Sequence, residues 1–202
     1  MMTPRLSKFV LTTHITFSVG WLGAVVVFLA LAITGVTTRN VQMAQSAYLA
    51  MELSGWFVIV PFCFASLLSG FLQSIGTKWG LFKYYWILVK LFLTIAATIV
   101  LLLHMEPISY LAGRAADANL SDNQLPGLRI QLIADAGAAV LVLLATTTLS
   151  VYKPWGKIRF GLRYSRTNIN LFKKSWVFLL IGLIILILFI IKHLSGGSMG
   201  RH

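Results

Sequence analysis

The chain has 202 residues, 58% hydrophobic and 11% charged, with 17 lysines and arginines against five acids and a net charge of +12. A soluble domain carries about 25% charged residues, so this composition argues against an ordinary soluble globular fold and makes lipid the expected solvent. The bases fall between long apolar runs, where they orient a membrane protein rather than bind nucleic acid. The single cysteine, Cys63, excludes an internal disulfide and a cysteine metal cage.

Five stretches reach or approach the roughly 20 apolar residues that a hydrocarbon crossing needs. They are 9–36, 53–75, 84–105, 130–151 and 175–192. Lipid admits only helices or closed barrels, and none of these runs alternates with period two. The expected fold is therefore all-α: a polytopic bundle of about five transmembrane helices, forming one integral membrane domain over 1–202.

The first stretch follows Arg5 and Lys8, as the core of a signal peptide would. It runs far past the roughly 7–15 residues of such a core, and reads as a retained helix. The second contains Pro61, which should kink it, and Cys63, a small core residue. Segment 106–129, with Pro107, Pro126 and Gly127, reads as a long external connection, with 110–118 as a short interfacial helix. Segment 153–174 reads KPWGKIRFGLRYSRTNINLFKK, seven bases interleaved with Trp155, Phe160, Tyr164 and Phe172. It suits anionic lipid headgroups, at about 1 kcal/mol per base, or serves only to fix topology. The fifth stretch is almost free of polar atoms and suits the bundle edge. Helices 1 to 4 carry the small residues that close packing in lipid needs, such as Gly20, Gly23, Ser66, Gly70 and Gly137.

Counting bases in the connections sets the orientation. With the N-terminus inside, the inner side holds Arg5, Lys8, Lys78, Lys83, Lys153, Lys157, Arg159, Arg163, Arg166, Lys173 and Lys174. The outer side holds Arg39, Arg114, Arg129, Lys192 and Arg201, so eleven bases face five. This excess favours a cytoplasmic N-terminus and an external C-terminus.

An ionisable residue inside a span costs about 2.5–3.5 kcal/mol on insertion scales, so each needs a reason. His14 and Lys90 both lie about 8–10 Å below the inner boundary, and this shared depth lets them meet. Lys90 alternatively snorkels to the inner headgroups, and His14 alternatively bonds a threonine or serine. Asp135 lies the same distance from the outer side, with Gln131 one turn away and His104 and Glu106 ending the third helix nearby. These four form a second, outer polar site, although Asp135 would also suit a pairing with Arg129. His14 and His104 belong to opposite leaflets and cannot share one haem iron. No Ser–His–Asp arrangement, phosphate loop or HExxH zinc signature is present, and no metal is expected.

The string HITFSVGWLGAVVVFLAL, with Trp21 and Gly23 after His14, resembles helix 1 of the HemJ-type protoporphyrinogen oxidases and of CopD-like membrane proteins. WILVKLFLT, with Trp86 four residues before Lys90, is similar to the Trp-x-x-Lys-Leu opening of a later HemJ helix. The chain as a whole looks most like a bacterial family of predicted integral membrane proteins sharing this pattern. The resemblance implies haem or porphyrin handling, with haem b as the cofactor and His14, Lys90, Trp21 and Trp86 around it. The arginine and second histidine that end helix 1 in HemJ are absent; Thr37, Thr38 and Arg39 stand there.

Three functions follow. One is a haem- or porphyrin-binding membrane protein with a redox role. Another is a small proton-coupled transporter using the outer site, with a homo-oligomer supplying further helices. The third is an accessory or scaffold subunit of a membrane complex.

Overall fold

The computed structural model describes residues 2–76, 84–117 and 125–152, and every regular element in them is a helix. Helix α1 spans Pro4–Thr37. Helix α2, Val41–Ser54, runs through a π-helical segment, Gly55–Ile59, into α3, Val60–Gly76. Helix α4 spans Tyr85–Ala116 and α5 spans Leu125–Tyr152. Four rods result, each long and apolar enough to cross a membrane: Pro4–Thr37, Val41–Gly76, Tyr85–Ala116 and Pro126–Tyr152. The predicted fifth helix at 175–192 and the basic segment 153–174 lie outside the described residues.

The rods are longer than the apolar runs that announced them. At 1.5 Å per residue, the 34 residues of α1 reach about 51 Å, well beyond a hydrocarbon core of about 30 Å. Its start is defined by Thr3, whose Oγ1 accepts from the Leu6 N–H, and by Pro4 in the first turn, where a missing N–H costs nothing. The second rod begins at 41 rather than 53, because VQMAQSAYLAMELS forms a helix without being uniformly apolar. Asn40 caps it, Oδ1 accepting from the Met43 N–H at 3.2 Å, and Ala44, Ala47, Tyr48 and Met51 turn inward.

The expected connection at 106–129 is also corrected. Helix α4 continues through Pro107 to Ala116, and the stretch expected as a separate interfacial helix is its last turns. Pro107 lacks only the N–H that would bond the Leu103 carbonyl, and Met105, Ile108, Leu111, Ala112 and Ala115 are buried around it, holding the helix continuous through the defect. Pro61 does not act alone either. The π-helical segment directly precedes it, with the Val60 N–H bonded to the Gly55 carbonyl.

Helix α1 packs against α2, α3 and α5, and α4 packs against the same three, so α1 and α4 stand at opposite corners of a four-rod bundle. The buried side of α1 recurs as His14, Trp21, Val25, Phe28, Ala32 and Gly35, a seven-residue step followed by alternating steps of four and three that keep one seam facing inward. Glycines permit the closest approaches. A Cβ on Gly20 would lie 2.5 Å from Phe62 Cε2, and one on Gly35 would lie 2.6 Å from Tyr48 Cζ. The outward surface is apolar, with Phe9, Phe57, Leu68 and Leu141 exposed. In lipid this surface gives no drive to associate, so close packing and interhelical hydrogen bonds must hold the rods together.

Candidate functional site

Two polar centres lie within the bundle, one toward each end. The first gathers on His14. Its Nδ1 lies 3.0 Å from the Ser66 carbonyl oxygen and 3.2 Å from Ser69 Oγ. A carbonyl only accepts, so Nδ1 carries the proton and the Nε2 lone pair is left to accept. It accepts from Lys90 Nζ at 3.0 Å. Depth brings these two together from opposite corners of the bundle, and the lysine stem covers the distance between them. Ser66 Oγ pairs with Ser18 Oγ at 2.7 Å, while Ser69 Oγ donates back to the Ala65 carbonyl at 2.6 Å. The His14 ring is packed against Gly70, where a Cβ would lie 2.9 Å from Cε1. Both ring nitrogens are thus engaged, and His14 presents no open nitrogen to an iron.

The second centre joins α4 to α5. His104 Nδ1 donates to the Val100 carbonyl at 2.6 Å, one turn earlier in its own helix. Its Nε2 is bonded to Asp135 Oδ2. Since the Val100 carbonyl must receive a proton, one further proton is shared between Nε2 and Oδ2, and the pair as a whole is neutral. His104 is buried, and the Asp135 side chain is 11% exposed. Both line a cavity of about 470 Å³ between α4 and α5, closed from behind by Trp21, Val25 and Phe28 of α1 and by Gly55 and Ile59 of the π-helical segment. Along α4 the lining runs from Leu93 to Ile108, about 22 Å at 1.5 Å per residue. The rest of the wall is alanine, valine, leucine and isoleucine. A cavity of this size suits a small-molecule ligand.

The residues singled out in the sequence divide between these centres. His14 and Lys90 form the inner one. Trp21, placed beside them by resemblance, instead lines the cavity of the outer pair. Trp86 is half-buried and tilted against Tyr84, with ring centroids 6.4 Å apart. His104 and Asp135 meet directly. Gln131 is half-buried one turn before Asp135, whereas Glu106 is exposed and points away from the pair. Arg129 does not take Asp135 but stacks over the Tyr48 ring, 5.3 Å from its centroid. Sequence reasoning did not place Ser18, Ser66 and Ser69 around His14. The signal was present in the three-residue spacing of Ser66 and Ser69 at matching depth. The contact between Cys63 Sγ and Thr98 Oγ1, 3.1 Å, was likewise not foreseen. Among the described residues, no group of three or more histidine, cysteine or acidic side chains is placed to hold a metal ion.

No protein-family model, curated protein or solved structure matches this chain.

Proposed function

We propose that the chain is a multi-pass inner-membrane protein that takes a largely apolar small molecule into the cavity between α4 and α5. Binding is linked to the proton shared by His104 and Asp135, as in a small proton-coupled carrier. The observation that carries this reading is the placement of one neutral His–Asp pair in an otherwise hydrocarbon-lined cavity. An ionisable pair at such depth is costly and marks function by default. A five-span topology with a cytoplasmic N-terminus belongs to the same reading, supported by the distribution of bases. The basic segment 153–174 would then rest on anionic headgroups, and a homo-oligomer would complete a translocation path.

The cavity is tested with a long-chain alkanol carrying a diazirine, photolysed with the purified full chain. Labels should fall on α4 and α5 and be suppressed by Ala139→Phe, or by the smaller filling Ala97→Leu. Labelling spread evenly over all lipid-facing surfaces, unchanged by either filling, would sink the reading.

A second reading rests on the contact between His14 and Lys90. There a porphyrin or haem b would be handled at the inner centre, which requires Lys90 to leave His14 Nε2. Purified protein should then show a Soret band that His14→Ala removes. Colourless protein that takes up no added haem counts decisively against it.

A further inference from the structure

The chemistry of the outer centre narrows the ligand class, given the reading of the cavity as a ligand site. Asp135 offers only Oδ2 to His104, and among the described residues its Oδ1 has no partner. Two aromatic side chains, Trp21 and Phe28, line the same cavity. A carboxylate set among aromatic faces in apolar surroundings recognises a hydrophobic cation: the carboxylate supplies the charge, and the rings supply attraction to a cation over their faces.

We infer that the cavity binds a lipophilic organic monocation in exchange for the proton shared by His104 and Asp135. The empty centre holds one carboxylate, one proton and one imidazole, and is neutral. When a monocation enters, the shared proton leaves to solvent. Asp135 remains as the carboxylate facing the cation. His104 keeps its Nδ1 proton on the Val100 carbonyl and is neutral. Charge is conserved at zero in both states, which a hydrocarbon-lined cavity demands. A neutral ligand displaces no proton, and an anion would leave two negative charges or an unbalanced site.

Among the described residues, the surroundings contain no second group able to take over that proton. From α1 and the π-helical segment, the cavity is lined by Trp21, Val25, Phe28, Gly55 and Ile59, none of which takes up a proton. On α4, Glu106 is exposed on the other face, and on α5, Arg129 is directed at Tyr48. Glu52 of α2 is half-buried, one turn before Gly55, and does not line the cavity. Lys90 lies fourteen residues from His104 along α4, about 21 Å away.

Tetraphenylphosphonium is the suitable probe, because it has no proton of its own to lose. It is added to the detergent-purified full chain in weak buffer containing a pH indicator. About one proton should be released for each cation bound, by the reciprocity of linked binding. Affinity should rise about tenfold per pH unit while the pair still holds its proton. Asp135→Asn should abolish both binding and release, and Glu106→Gln should leave both unchanged. Cation binding without proton release, or binding retained in Asp135→Asn, overturns the inference. The proton count is read on the unmodified chain, so it decides the matter even if Asp135→Asn does not fold. If the phosphonium fails to bind while the neutral alkanol still labels the cavity, the cation inference falls and the cavity reading stands. If neither probe enters, both fall.

Discussion

At the scale of single residues, legibility followed depth. His14 and Lys90 sit equally far from one boundary, and His104 and Asp135 equally near the other, so helix rise alone predicted two groups. Contact across corners of the bundle needed more, because direction around the helix axis decides which side chains converge. Glu106 shows this: it lies two residues from His104, a rotation of about 200°, and faces outward while His104 faces in. Trp21 is a second case. Two turns from His14 on the same seam, it faces the same interior but a different centre, because the polar residues of α3 that meet His14 lie only at His14's level. The hydrogen-bond partners then decide chemistry that residue types could not. A histidine held between a carbonyl and a lysine is a neutral acceptor, whereas one held between a carbonyl and a carboxylate shares a proton. This difference sets the outer pair apart as the centre with a proton that a bound cation could displace.

At the scale of elements, the rods were legible as apolar runs and their ends were not. Helix propensity and capping, by Thr3 and Asn40, carry the backbone beyond the hydrocarbon, whereas hydropathy reports only the crossing. The π-helical segment was hidden for a different reason. Buried positions in the second rod fall at Met51, Gly55, Ile59 and Cys63, three successive steps of four. In a regular α-helix those twelve residues would drift about 120° around the axis. One wide turn absorbs the extra residue, and both Tyr48 and Ser66 keep facing the core. Phe57, 76% exposed within that turn, is the residue that can be spared. Its deletion should restore regular α-helix and leave both flanking faces in register, at a cost of about 3 kcal/mol as Pro61 then sits against an ordinary turn. Inserting an alanine after Thr98 instead rotates the rest of α4 by about 100° and should break the His104–Asp135 bond. Cys63, wholly buried, reports both outcomes through maleimide reactivity. Protection should persist after the deletion and be lost after the insertion. A deletion variant as reactive as unfolded chain would show that the wide turn is not an absorbed extra residue.

At the scale of the whole molecule, orientation decides from which side the proposed site is reached. Each centre takes one residue from α4, His104 and Lys90, about 21 Å apart along the helix, so the His104–Asp135 pair lies nearer one face of the membrane and the inner cluster nearer the other. The base count along the sequence, eleven against five, argues for a cytoplasmic N-terminus; among the described residues, Arg5 and Lys8 lie at the His14 end of the rods while Arg39, Arg114 and Arg129 lie at the other. The Met2 N–H bonds the Gly76 carbonyl at 3.1 Å, which ties the start of α1 to the end of α3. Alkaline phosphatase, active only when exported, reads the outcome directly. Fusions ending at Arg39 or within 118–124 should be active, and fusions within 77–83 or 153–174 inactive. On the proposed five-span topology, activity should return after residue 202. An active fusion within 153–174 would invert the molecule and place the His104–Asp135 pair on the cytosolic side. The exchange would still run as cation export, because the inward proton gradient and not the orientation sets its direction, and only the side from which ligand first reaches the pair would change.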